Sequence, residues 1–223
     1  MSSSDYPPRP LLDYARLRAR PVATDPFRHV VVPEFVPPAA LPGILADLPP
    51  LARRGSFPPA SLRLGPRAQA LIEELEGAEL RGGLAERFDL DLSDAPTMIT
   101  LRGWTTERDG HIHCDSTAKR VTVLLYLNPP TGAWNDSQGC LRLLRRPDDL
   151  EDFAVEVPPV NGTLLVFPNS PKAWHGHRPF TGQRYAVQLN YMTTDSAARS
   201  ELRRHQVSAL VKRLTARRHL APA

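Results

Sequence analysis

Four side chains in this sequence are spaced to bind a metal ion and an anion together. His113 and Asp115 stand two apart in Gly-His-Ile-His-Cys-Asp at residues 110–115, just before the β-branched run Val-Thr-Val-Leu-Leu-Tyr-Leu at 121–127. Side chains alternate faces along an extended backbone, so this imidazole and carboxylate project together while Cys114 turns away. His175 follows 60 residues after Asp115, inside Ala-Trp-His-Gly-His-Arg-Pro-Phe, and Arg184 comes nine residues later. Two imidazoles and a carboxylate on one face of Fe(II) leave the opposite positions open for a co-substrate and oxygen. A nearby guanidinium can grip a carboxylate through paired hydrogen bonds.

In order and spacing, His113-x-Asp115, His175 and Arg184 resemble the Fe(II)/2-oxoglutarate-dependent dioxygenases, in particular their prolyl-4-hydroxylase-like branch. The resemblance spans roughly residues 95–192. Tyr-Leu-Asn at 126–128 is similar to the family strand whose tyrosine touches the distal carboxylate of 2-oxoglutarate. Ser-Gln-Gly-Cys-Leu-Arg-Leu at 137–143 is similar to its Gly-x-Leu-Arg-Leu strand. The resemblance implies that His113, Asp115 and His175 are the Fe(II) ligands and the catalytic centre. It implies that Arg184 holds 2-oxoglutarate, with Tyr126, Leu141 and Thr122 beside it. O2 would be the oxidant and ascorbate an optional reductant. The implied reaction hydroxylates a C–H bond and releases succinate and CO2. Asp115 argues against halogenation, because halogenating relatives have a small residue there.

Two competing histidines qualify the ligand set. His111 shares strand parity with His113, and a non-oxygenase metal cupin would use such a His-x-His pair with a glutamate soon after. The first glutamate after His113 is Glu151, so the cupin pattern breaks where the dioxygenase pattern holds. His177 reads as a rim or substrate group.

The elements that must carry these residues follow from pattern. Residues 66–76 are expected as a helix: Pro66 starts it, Ala68, Leu71, Ile72 and Leu75 share a face, and Gly77 follows its end. Shorter helical stretches are expected at 11–20, 37–52 and 79–88, and a strand at 27–35 joining the edge of the main sheet. From residue 96 eight short runs read as strands, at 98–104, 112–115, 120–127, 140–144, 154–157, 162–167, 174–177 and 184–191. Eight strands without intervening helices imply a mainly β fold, a double-stranded β-helix or cupin-like jelly roll with flanking helices. The expected organisation is an N-terminal extension with supporting helices over 1–95, the jelly-roll core over 96–194 and a basic helix over 195–223. Residues 199–223 carry seven Arg or Lys against Glu201.

Composition narrows partners. The 223 residues carry a net charge of +4 and no apolar run of the ~20 residues a membrane span needs. Lysine accounts for only three of the 28 basic residues, a compositional habit rather than a nucleic-acid footprint of basic residues interleaved with aromatics, so nucleic acid is disfavoured. Two cysteines form no disulfide framework, and the N-terminus lacks a secretory pattern, so a cytoplasmic setting is expected.

Strand parity also sketches the substrate side. Continuing from Arg184, Ala186, Gln188 and Asn190 point inward, and Met98, Thr100 and Arg102 share a face on the neighbouring strand. Arg102 stands near where the resembling animal prolyl hydroxylases have tyrosine, and Asn190 where they have tryptophan. Arg102, Gln188, Asn190 and His111 are therefore the candidate substrate residues. They favour a polar small molecule or glycan-like substrate over a peptidyl proline. A metal-binding cupin without oxygenase activity and a silent interaction module are the readings from other classes.

Overall fold

The computed structural model describes residues 10–130, 134, 136–195, 199–200 and 203–204. Four helices precede most of the sheet: α1 (Tyr14–Ala19), α2 (Leu41–Ala46), α3 (Pro66–Glu76) and α4 (Ala78–Phe88). Asp13 caps α1, its carboxylate accepting from the Arg16 amide. Pro66 opens α3 and Gly77 separates it from α4, as the sequence pattern requires. The run at 37–52 yields only six helical residues, with Pro42 inside the first turn, where a missing N–H costs nothing.

The strands are β1 (Val30–Val32), β2 (Thr97–Thr105), β3 (Lys119–Tyr126), β4 (Leu141–Leu144), β5 (Phe153–Val157), β6 (Thr163–Pro168), β7 (His175–His177) and β8 (Gly182–Met192). They form an antiparallel five-stranded sheet in the order β1-β6-β3-β8-β2 and a three-stranded sheet in the order β5-β4-β7. This is the expected two-sheet, mainly β architecture. One expected strand differs. Residues 112–115 form no ladder and meet β7 only through an isolated bridge between His113 and His175. Neighbouring Gly110 has φ +91° and Gly176 allows close approach, so the chain meets the sheet edge at this bridge and where the Gly110 carbonyl accepts from the His177 amide at 2.9 Å. The expected C-terminal basic helix lies almost wholly outside the described residues.

The larger sheet is buried on both faces. On one, Ile99, Leu101, Val121, Val123, Leu125, Val187, Leu189 and Tyr191 share a core with Leu71, Ile72 and Leu75 of α3 and Leu80, Leu84 and Phe88 of α4. Each such side chain contributes about 1.5–3 kcal/mol when fully buried. On the other face, Tyr126, Leu165, Phe167 and Ala186 pack with Leu141, Leu143 and Val157 of the smaller sheet. Thr122 of β3 and Arg184, Gln188 and Asn190 of β8 lie on this second face, toward the smaller sheet. No helix among the described residues is long and apolar enough to cross a membrane.

Candidate active site

The site begins with the bridge that replaces the expected strand. The His113 amide donates to the His175 carbonyl, and the His175 amide to the His113 carbonyl, both at 3.0 Å. That exchange brings the two imidazoles to a centroid separation of 4.3 Å. With Asp115 they offer one ligand atom each, all within 4.8 Å of one another. Gly176 makes the approach feasible: a Cβ there would lie 2.8 Å from the Gly110 carbonyl oxygen. The glycine in His-Gly-His is thus a space requirement between the two segments that bear His113 and His175.

Hydrogen bonds fix which nitrogens face inward. His113 Nδ1 lies 2.9 Å from the His111 carbonyl oxygen, and His175 Nδ1 lies 2.9 Å from that of Ala173. A carbonyl only accepts, so each Nδ1 carries the proton and each Nε2 keeps its lone pair, the tautomer that suits metal ligation. Burial, reinforced by nearby His113, pushes His175 down to about 4, which keeps it neutral. Burial pushes the Asp115 carboxyl up, but the Lys119 ammonium, His175 and the Thr122 hydroxyl outweigh it and hold the group below the usual carboxylate range. Lys119 Nζ donates to Oδ1 and Thr122 Oγ1 to Oδ2, each at 2.5 Å. An ionised carboxylate has about four acceptor sites, so these two bonds orient Asp115 without consuming its capacity for a metal. The donor set, its tautomers and its orientation fit a divalent cation such as Fe(II).

The three residues open onto a cavity of about 150 Å³. Its lining includes Arg102, Thr122, Tyr126, Leu141, Arg184 and Gln188, all expected from sequence to serve the site. The register explains the gathering: across β2, β8 and β3, Arg102, Ala186 and Tyr126 form one row, and Thr100, Gln188 and Leu124 the next. Arg184 is 6% exposed. Its Nε donates to the Gly139 carbonyl at 2.8 Å, and its Nη2 is buried with no partner. The guanidinium lies 5.1 Å from the Tyr126 ring centroid. A buried cation nitrogen with nothing to bond is costly, and a carboxylate from 2-oxoglutarate would satisfy it.

Asn190 and His111 are placed differently. Asn190 is 1% exposed and does not line the cavity. Its Oδ1 accepts from Gln188 Nε2 at 3.4 Å and its Nδ2 donates to the Met98 carbonyl at 3.5 Å, so the protein itself satisfies much of this inward amide. The His111 side chain is exposed and lies outside the lining, and it is its backbone carbonyl that reaches His113.

Other lining residues lack a motif in the sequence. Lys119 was detectable in principle as one of three lysines in an arginine-rich chain, four residues after Asp115. Thr105 lies past an irregularity in β2 between Arg102 and Trp104, which breaks simple parity; its buried hydroxyl has no partner. Asp109 accepts from Arg54 Nε at 2.8 Å and from the Thr106 amide at 3.0 Å. His177, which the sequence does single out as a rim or substrate group, lines the cavity as a neutral ring: burial first, then Arg184, pushes it down to about 4.

Comparison with known proteins agrees with this geometry. A sequence model described as the 2OG-Fe(II) oxygenase superfamily matches residues 101–192. No curated protein matches the chain. Among solved structures, a prolyl-4-hydroxylase from Pseudomonas putida aligns at 18% identity, covering 81% of this chain and 90% of its own, with a TM-score of 0.54. A viral collagen prolyl hydroxylase from Paramecium Bursaria Chlorella virus-1, as its 2OG complex, aligns at 12% identity over 78% of this chain and 99% of its own, TM-score 0.52. A prolyl 4-hydroxylase from Phytophthora capsici aligns at 16% identity over 83% and 67%, TM-score 0.51. At these identities the likeness is one of fold.

Proposed function

Residues 101–192 carry a 2OG-Fe(II) oxygenase domain, and from that premise we propose that the protein hydroxylates a C–H bond of a polar small-molecule or glycan-like substrate. As an oxidoreductase of this superfamily it uses Fe(II), 2-oxoglutarate and O2. In our reading His113, Asp115 and His175 hold the iron, and Arg184 with Tyr126 seats the distal carboxylate of 2-oxoglutarate. Thr122 orients Asp115, and Leu141 packs on the co-substrate's carbon chain. On the same reading residues 96–194 are the catalytic core and 1–95 its supporting extension.

The observation that carries this assignment is the convergence on one cavity of a His-Asp-His donor set and the unpartnered Arg184 Nη2. When bound, the iron supplies the oxidising chemistry. The chain's residues do the positioning. The Nδ1 protons keep both imidazoles turned with Nε2 inward, and Lys119 and Thr122 hold Asp115 ionised. Arg184 would hold one carboxylate of the co-substrate in the cavity that the three donor residues share. Phe167, Leu165 and Leu141 exclude water behind it. Gln188 and Arg102 give the remaining wall polar groups that reject a ligand unable to pair with them.

A peptidyl-proline substrate is the second reading, favoured by the fold shared with proteins named as prolyl hydroxylases. Incubation with Fe(II), 2-oxoglutarate and two pools, polar metabolites and end-blocked proline-containing peptides, separates the two. Stimulated succinate release with a +16 Da product among the metabolites is expected. Such a product arising only among the peptides would reverse the ranking.

A further inference from the structure

The cavity holds more positive charge than its expected occupants neutralise. Three cations line it, Arg102, Lys119 and Arg184, against two carboxylates, Asp109 and Asp115. Lys119 is paired with Asp115, and Asp109 is engaged by Arg54 from outside the lining. With those two pairs set aside Arg102 and Arg184 remain, and a divalent metal adds two positive charges while 2-oxoglutarate removes two, so the excess of two positive charges stands. Arg184 is the cation suited to the co-substrate, being buried with Nη2 free. The remaining charge belongs to Arg102.

Arg102 stands at the cavity mouth on β2, its side chain exposed. Its Nε donates to Ser56 Oγ at 3.1 Å, and among the described residues no carboxylate pairs with it. That tether to the loop preceding α3 sets the stem while leaving both terminal nitrogens for a ligand. Across the sheet it shares a row with Ala186 and Tyr126, and the alanine methyl leaves space between the guanidinium and the phenol ring. The amide of Gln188 lines the adjoining row.

We propose that the substrate carries a carboxylate and that Arg102 binds it at the mouth of the cavity. This rests on the small-molecule reading and specifies it. A planar guanidinium matches a carboxylate through paired hydrogen bonds.

Matched pairs of N-acetyl amino acids and their carboxamides test the assignment. They are titrated by calorimetry into protein loaded with Zn(II), a redox-inert stand-in, and 2-oxoglutarate. At least one acid is expected to bind roughly ten-fold or more tightly than its amide, as a charge-assisted bond requires. Arg102→Gln should erase that preference and Arg102→Lys should restore part of it, with the unfolding midpoint of each variant confirming a folded protein. Equal binding of acids and amides would overturn the carboxylate assignment while leaving the small-molecule reading intact, as would a preference that survives Arg102→Gln. A larger loss of affinity for 2-oxoglutarate than for the acids in Arg102→Gln would move the residue to the co-substrate. Absence of binding by every pair also overturns the assignment, and binding by end-blocked proline peptides instead would remove the small-molecule reading with it.

Discussion

Strands β3 and β8 present two faces with opposite duties, separated by single residue steps. Toward the helices they show Val121, Val123, Leu125, Val187, Leu189 and Tyr191, all part of the main apolar core. Toward the smaller sheet they show Thr122, Tyr126, Arg184, Gln188 and Asn190, whose polar atoms bond one another, meet the cavity or wait for a ligand. The helix side anchors the strands through apolar burial, which is non-directional and tolerant of detail. The cavity side depends on directed bonds between particular atoms. A backbone fixed by the first face can carry buried polar groups on the second, including one with no protein partner.

That division predicts separable losses. His113→Ala removes an exposed ring that contributes to the metal donor set but not to the core. Iron-dependent turnover of 2-oxoglutarate should fall by more than about 100-fold, since even outer-shell partners reach that figure. Thermal unfolding of the metal-free variant should stay close to that of the metal-free parent. Retained turnover would show that His113 is not a ligand.

Leu189→Ala tests the other face. It leaves a cavity between sheet and helices and should cost about 2–5 kcal/mol in chemical denaturation. The Michaelis constant for 2-oxoglutarate in the fraction still folded should barely move. A large change in that constant would mean the two faces are mechanically coupled and the contrast fails.

Arg184→Ala cuts the inner face alone. Loss of a charge-assisted contact worth roughly 1.5–3 kcal/mol should raise the Michaelis constant for 2-oxoglutarate about 10- to 100-fold. Tyr126→Phe, which deletes one hydroxyl, should raise it less than about ten-fold. An unchanged constant in Arg184→Ala would remove the residue from the co-substrate site.

Much of this was legible in the sequence because strand parity has a period of two and needs no tertiary information. Thr122, Tyr126, Arg184 and Gln188 fall on the cavity side as alternation demands, and α3 starts and stops at Pro66 and Gly77. The pattern failed where the chain departs from regular pleating. Residues 112–115 have the composition of a strand but make one bridge, Thr105 enters the cavity past an irregularity, and Lys119 reaches back to Asp115 across a turn. Asn190 shows a different limit. Parity gives its direction correctly, but not that Gln188 and the Met98 carbonyl would occupy it first.

The isolated His113–His175 bridge gives the site a second role. The two bridge bonds, the His177 amide's bond to the Gly110 carbonyl and the Asn169 side chain's bonds to the Asp115 and Ser116 carbonyls hold a segment that lies outside any ladder, and such segments open more readily than ladder strands. A cation shared by His113, Asp115 and His175 would act as a cross-link between this segment and β7, binding the closed form and not the open one. Closure and occupancy then become linked equilibria: each ten-fold excess of metal over its dissociation constant adds about 1.4 kcal/mol to the closed state. Protection of the His113 and His175 amides against hydrogen exchange thereby becomes a local gauge of how full the site is.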